Sequence, residues 1–182
     1  LTEQGVLVRS QGAGTFVATF KTQSSLLEIR NIADEISERG HHHSALQIEL
    51  REAAVEKEMA ILLNAPVKSK VYYSEVLHLE NGEPIQLEQR FVNPSLISDY
   101  LAQDFTKITP HEYLSMVAPL TEATHEVEAI LASANICDAL AISHPSACLQ
   151  VKRRTWSSQG VVSYAILTSP GEKYRLGSHL KF

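Results

Sequence analysis

The chain has 182 residues, 44% hydrophobic and 20% charged, with a net charge of -5 and a pI near 5.9. That length allows one good-sized domain and a small appendage, with the balance of an ordinary soluble globular protein. The acidic total and the scattered Lys and Arg exclude a body that grips duplex DNA through a basic face of its own. No run approaches the ~18 to 20 apolar residues of a membrane span, and no signal-peptide pattern leads the chain. Cys137 and Cys148 lack CxxC spacing, so neither a disulfide framework nor a zinc site is expected, and a cytoplasmic setting is.

In chain order, "GVLVR" and "TFVA" flank "SQGAG", a pattern for two short strands joined by a turn bearing Gly12 and Gly14. "TFKTQSS" reads as a polar linker. "SSLLEIRNIADEISERG" places Leu26, Ile29, Ile32, Ala33 and Ile36 on one helical stripe, with Ser24 or Ser25 as cap and Gly40 as terminator. "HHHSALQIELREA" alternates as a strand, and "VEKEMAILLN" is a short helix ending at Asn64. Two alternating strands surround Asn81-Gly82, a strong hairpin signal. "NPSLISDYLAQDF" supplies turns and a short helix, and "TPHEYLSMVAPL" a helix whose Pro110 suits the first turn. A strand ("TEATHEVEAILA"), a short helix ("SANICDALAI"), a hairpin ("SACLQVKRRTWSSQGVVSYAILTS") and an edge strand ("GEKYRLGSHLKF") follow. The sum is an α+β fold: an antiparallel β-sheet with flanking helices.

The residues then carry a resemblance. "GVLVRSQGAGTFVA" resembles the wing of a GntR-type winged helix. "ENGEPIQLEQRFVNP", "DYLAQDFTKITPHEYL", "APLTEATHEVEA" and "KRRTWS" resemble the histidine-utilisation repressors of that family's HutC-type branch. The resemblance implies a wing at residues 1–18, a linker at 19–25 and a UTRA effector domain of chorismate-lyase-like fold at 26–182. It further implies a homodimer, urocanate as inducer, no cofactor, and operator DNA held only through a winged helix whose helix-turn-helix is expected ahead of Leu1. At the wing tip, Arg9, Ser10 and Gln11 are the candidate DNA contacts; Arg9 also reads as a solvated strand-end charge.

A flat, conjugated carboxylate needs a cation or several donors at one end, an acceptor at the other, and flat walls. Strand alternation puts Gln86, Glu88 and Arg90 on one face, with Ile85, Leu87 and Gln89 on the other, and puts Val76, His78 and Glu80 together on the strand before. Resemblance places Glu88 where the family commonly has a pocket glutamate, and His78 where sugar-phosphate-sensing relatives carry arginine. Thr109 offers a hydroxyl beside free backbone N–H groups, and Tyr113 lies one turn further in. Arg154, Ser163 and Tyr174 complete the candidates, Tyr174 where the family shows an aromatic near its last strand.

Each has a structural alternative. Glu88 and Arg90 can simply pair on a solvated sheet face, Thr109 can be only a helix cap, and Tyr174 and Trp156 can be core aromatics. Lys152 and Arg154 face one way and Arg153 the other, so "KRR" makes no continuous basic stripe. Of "HHH", only His41 and His43 share a face and no third metal ligand is near. The competing functional class is a small-carboxylate-processing enzyme of chorismate-lyase-like fold, with Glu88 or His78 as acid or base; no phosphate loop, HExxH or GxSxG motif is present.

Overall fold

The computed structural model describes residues 29–177 throughout and, ahead of them, the backbone of three strands: β1 (Leu7–Ser10), β2 (Gly14–Val17) and β3 (Thr22–Ser25). β1 and β2 pair antiparallel with Ser10 opposite Gly14, as the alternating runs predict. Arg9 and Ser10 thus end the first strand of this hairpin; Gln11 lies outside the described residues, as does Leu26 of the helical stripe.

Six strands form one antiparallel sheet: β4 (His43–Ala54), β5 (Lys70–Glu80), β6 (Glu83–Val92), β7 (Leu120–Leu131), β8 (Ala147–Ser157) and β9 (Gly160–Pro170). Their spatial order is β4-β5-β6-β9-β8-β7. The β5–β6 turn works because Asn81 and Gly82 both take positive φ, +52° and +84°, the conformation whose twist matches the flanking strands. A register shift after His78 makes Ile85 an extra residue of β6 and delivers it to Ile32 and Ile36. Simple alternation, which grouped Ile85 with Leu87 and Gln89, cannot foresee such a bulge.

One sheet face is covered by α2 (Lys57–Leu63), through Ala60 and Leu63 on Val71, Val161 and Tyr164, and by α4 (Ala134–Ala139), through Cys137 on Leu77, Leu87 and Cys148. The other face carries α1 (Ile32–Glu38), α3 (Pro110–Val117) and a 3₁₀ turn at Tyr100–Ala102. There Tyr100, Phe105 and Tyr113 pack ring against ring, 4.8 Å and 6.1 Å from Tyr100, over Val76 and Val92. Thr109 caps α3 by accepting from the Glu112 N–H at 3.1 Å, with Pro110 in the first turn.

Three expectations change. The first helix begins at Ile32, because the Asn31 side chain accepts from the Ala33 N–H and takes the capping role assigned to Ser24 or Ser25. Segment 19–25, read as linker, contains β3. Its partner is β10 (Tyr174–Gly177), expected as an edge strand; the two form a separate parallel ribbon, Tyr174 opposite Thr22 and Gly177 opposite Ser25. Local periodicity cannot report a pairing between segments some 150 residues apart in sequence.

Candidate functional site

The antiparallel register brings Ser74, Val76 and His78 of β5 opposite Arg90, Glu88 and Gln86 of β6, so five polar side chains gather around Val76 on one face of this hairpin. Arg90 then pairs with Ala165 on β9, and Ala165 with Arg153 on β8. Two arginines therefore stand on the same face, roughly 10 Å apart at two strand spacings, with a single alanine between them.

Beside the two arginines lies a cavity of about 30 Å³. Gln86, Glu88, Arg90, Val151, Arg153 and Leu167 form its floor; Asn31, Ile32 and Glu35 of α1, Thr109 and His111 of α3, and Tyr174 and Leu176 of β10 form its walls and cover. The volume corresponds to about one water, so the cover must move for anything larger to enter.

Glu88 and Arg90 are 3% and 2% exposed, which rules out the solvated-pair reading. The Arg90 Nε donates to Glu88 Oε1 at 2.7 Å and Nη1 to Ser163 Oγ at 3.0 Å, and Ser163 shares a 2.8 Å hydrogen bond with the Thr155 hydroxyl. His78 Nε2 lies 3.3 Å from the second Glu88 oxygen. Burial works against the Glu88 charge, but the Arg90 guanidinium and the His78 contact outweigh it and hold the carboxyl far below its usual range.

Arg153 is different. Its guanidinium is buried, and its Nε has no hydrogen-bond partner among the described residues. Burial first, and repulsion from Arg90 second, pull its pKa down to about 10. A buried guanidinium beside a cavity with a donor unused is a seat for an anion. His111, on the wall, is pushed down to about 4 by burial and then by Arg90 and Arg153, so at neutral pH it is an uncharged donor or acceptor.

Of the residues singled out from the sequence, Glu88, Arg90, Thr109 and Tyr174 reach the cavity, while His78 and Ser163 support it from behind. The Thr109 hydroxyl is already engaged, donating to Asn31 Oδ1 at 2.9 Å while it caps α3. Tyr113 does not line the cavity; it belongs to the aromatic core beside Tyr100. Arg154 lies on the opposite sheet face, 4.7 Å over the Trp156 ring, as its two-residue offset from Lys152 requires. Arg153 was overlooked although its signal was present: it is the cation between Val151 and Thr155 on the face that turns inward. Among the described residues no cluster of metal ligands forms at "HHH"; His41 instead contacts Glu80 at 2.6 Å.

Comparison with known proteins places this architecture. The UTRA domain family matches residues 38–175. The chain is 51% identical to the histidine utilization repressor of Pseudomonas putida over 97% of its length and 71% of that protein's, and 47% identical to that of Klebsiella aerogenes over 97% and 73%. The chain belongs to the histidine utilization repressors, a UTRA-domain family. The crystal structure of the C-terminal domain of the histidine utilization repressor from Pseudomonas syringae superposes with a TM-score of 0.74 at 44% identity, covering 78% of this chain and all of that one. PhnF from Mycobacterium smegmatis matches 99% of the chain and 81% of its own with a TM-score of 0.84 at 15% identity, a likeness of fold. A histidine utilization repressor is a transcriptional regulator, and the enzyme alternative is set aside.

Proposed function

We propose that this repressor chain senses urocanate in the cavity lined by Arg90 and Arg153 and releases operator DNA in response. The observation that carries the reading is Arg153, a buried guanidinium with unused donor capacity beside an Arg90 already neutralised by Glu88. The ligand carboxylate is placed on Arg153, and its imidazole toward Glu88 and His111. The release step is supported by the cover: Tyr174 and Leu176 touch the cavity from β10, and β10 is hydrogen-bonded to β3, the strand that follows the β1–β2 hairpin. A ligand that displaces β10 thus pulls on the segment leading to the hairpin.

In this reading residues 1–18 contribute the wing of a winged helix, with Arg9, Ser10 and Gln11 at its tip, and residues 26–182 the effector domain, β3 belonging to the coupling segment between them. The repressor acts in the cytoplasm as a homodimer, since two operator half-sites call for two-fold symmetry. Calorimetry tests the reading: urocanate is expected to give saturable binding that Arg153→Gln weakens, and a flat trace with the wild-type chain refutes it.

A further inference from the structure

The Glu88 carboxylate is also one end of a hydrogen-bonded line that reaches the protein surface. His78, fully buried, sits with Nε2 3.3 Å from Glu88 Oε2 and with Nδ1 3.1 Å from Nε2 of His43, which is only partly buried. The two rings lie 5.3 Å apart at 32°. Glu88 is ionised and can only accept, so His78 must carry its proton on Nε2. A neutral His78 then offers the lone pair of Nδ1, and His43 donates to it from Nε2. One further proton fits, on His78 Nδ1, with His43 turned to its other tautomer and accepting. A second does not, because two N–H groups would then face each other across 3.1 Å.

We propose that His43 and His78 form a one-proton reservoir behind the cavity, so that an anionic effector is taken up together with a proton. This rests on the effector reading above. Around the pair, the charged and titratable groups are His42 on its own segment, the Glu80 carboxylate bound by Arg39 and His41, and Glu88 and Arg90 on β6. Across the cavity stand Glu35 of α1, His111 of α3, Arg153 of β8, His125 of β7 and Tyr174 of β10. Burial first, and then the His78 and His42 rings, hold His43 down near 4. A carboxylate bound at Arg153 adds a negative charge on the cavity side of Glu88 and lets the pair accept a proton from solvent through His43. By reciprocity, the proton strengthens binding of the anion by the same factor.

Calorimetric titration of urocanate in phosphate and in Tris, from pH 8 to pH 6, reads the proton count from the dependence of enthalpy on the buffer's own ionisation. The expected result is uptake that rises toward one proton as pH falls, with affinity rising by up to about tenfold per pH unit. Urocanate's ring can itself gain a proton, so the titration is repeated with His43→Asn, which keeps an amide beside His78 but cannot store the proton. Uptake lost in that variant supports the reservoir. Uptake unchanged in it, or wild-type binding with no proton exchanged, overturns the reservoir and leaves the effector reading standing; absence of urocanate binding removes both. Ring ¹⁵N shifts of His43 and His78 in the wild-type chain give an independent check: a proton gained on urocanate addition supports the proposal, and unchanged tautomers overturn it.

Discussion

Arg90 and Arg153 face the same cavity across Ala165; Arg90 is bonded to the Glu88 carboxylate, while the Arg153 Nε has no hydrogen-bond partner among the described residues. Their repulsion in a buried setting raises the energy of the empty site, and an incoming anion relieves it. Arg153→Gln removes the anion seat and the repulsion together. Loss of a charge-assisted hydrogen bond costs about 1.5–3 kcal/mol, or roughly ten- to over a hundredfold in urocanate affinity. The melting temperature of the ligand-free variant is expected to stay level or rise. A variant that binds urocanate normally but melts early would make Arg153 a structural residue.

Glu88→Gln is expected to behave in the opposite way. It leaves Arg90 buried without a counter-charge, next to Arg153, and weakens the support of His78. Breaking one side of a buried ion pair costs about 3–5 kcal/mol, which in a domain of this size lowers the melting temperature by roughly 6–20 °C. Thermal denaturation followed by circular dichroism decides this, and an unchanged melt would mean that water enters to solvate Arg90.

Acid sensitivity is expected to begin near pH 6.5, well above the carboxylate range. His43 and His111 are each pushed from 6.5 to about 4, chiefly by burial, so the folded state holds fewer protons than the unfolded chain between those values. Stability is then full above about pH 6.5 and falls as pH drops toward 4. Glu88, held far below its usual range, adds a further loss once pH passes below 4.5. Melting temperatures measured every half unit from pH 8 to pH 4 should bend at the upper value, and His111→Gln should flatten the bend. A melt that is constant down to pH 5 contradicts this assignment.

Much of the sheet and half of the site are legible in the residues themselves. Alternation places Gln86, Glu88 and Arg90 on one face, and Asn81-Gly82 fixes the turn that brings His78 alongside. The same rule separates Arg153 from Arg154, yet the inward cation draws no notice, because a chain-local reading cannot tell which face of β8 is covered. What covers it is non-local. β10 crosses to pair with β3, and Asn31 both caps α1 and accepts from Thr109 on α3. Tyr113 shows the converse error: at helical spacing it looks like a pocket wall, but Tyr100 and Phe105, brought in by an intervening loop, claim it for the core.

The small volume of the cavity supplies the last prediction. A volume near 30 Å³ admits one water, whereas a ring bearing an acrylate carboxylate needs several times as much. The sheet floor cannot yield, because Glu88, Arg90, Ser163 and Thr155 are locked by mutual hydrogen bonds across three strands. The cover can. β10 has four residues and a single ribbon partner, and α1 is a helix of seven residues held to the floor side chiefly by Ile32 and Ile36 on Ile85. Short elements with few buried apolar contacts open at low free-energy cost. Hydrogen exchange followed by mass spectrometry is therefore expected to change on urocanate addition in Thr22–Ser25, in Ile32–Glu38 and in Tyr174–Gly177. The helices on the far face, Lys57–Leu63 and Ala134–Ala139, are expected to exchange as before. Changes confined to the far face would place the entry route, and the coupling to β3, somewhere other than the β3–β10 ribbon.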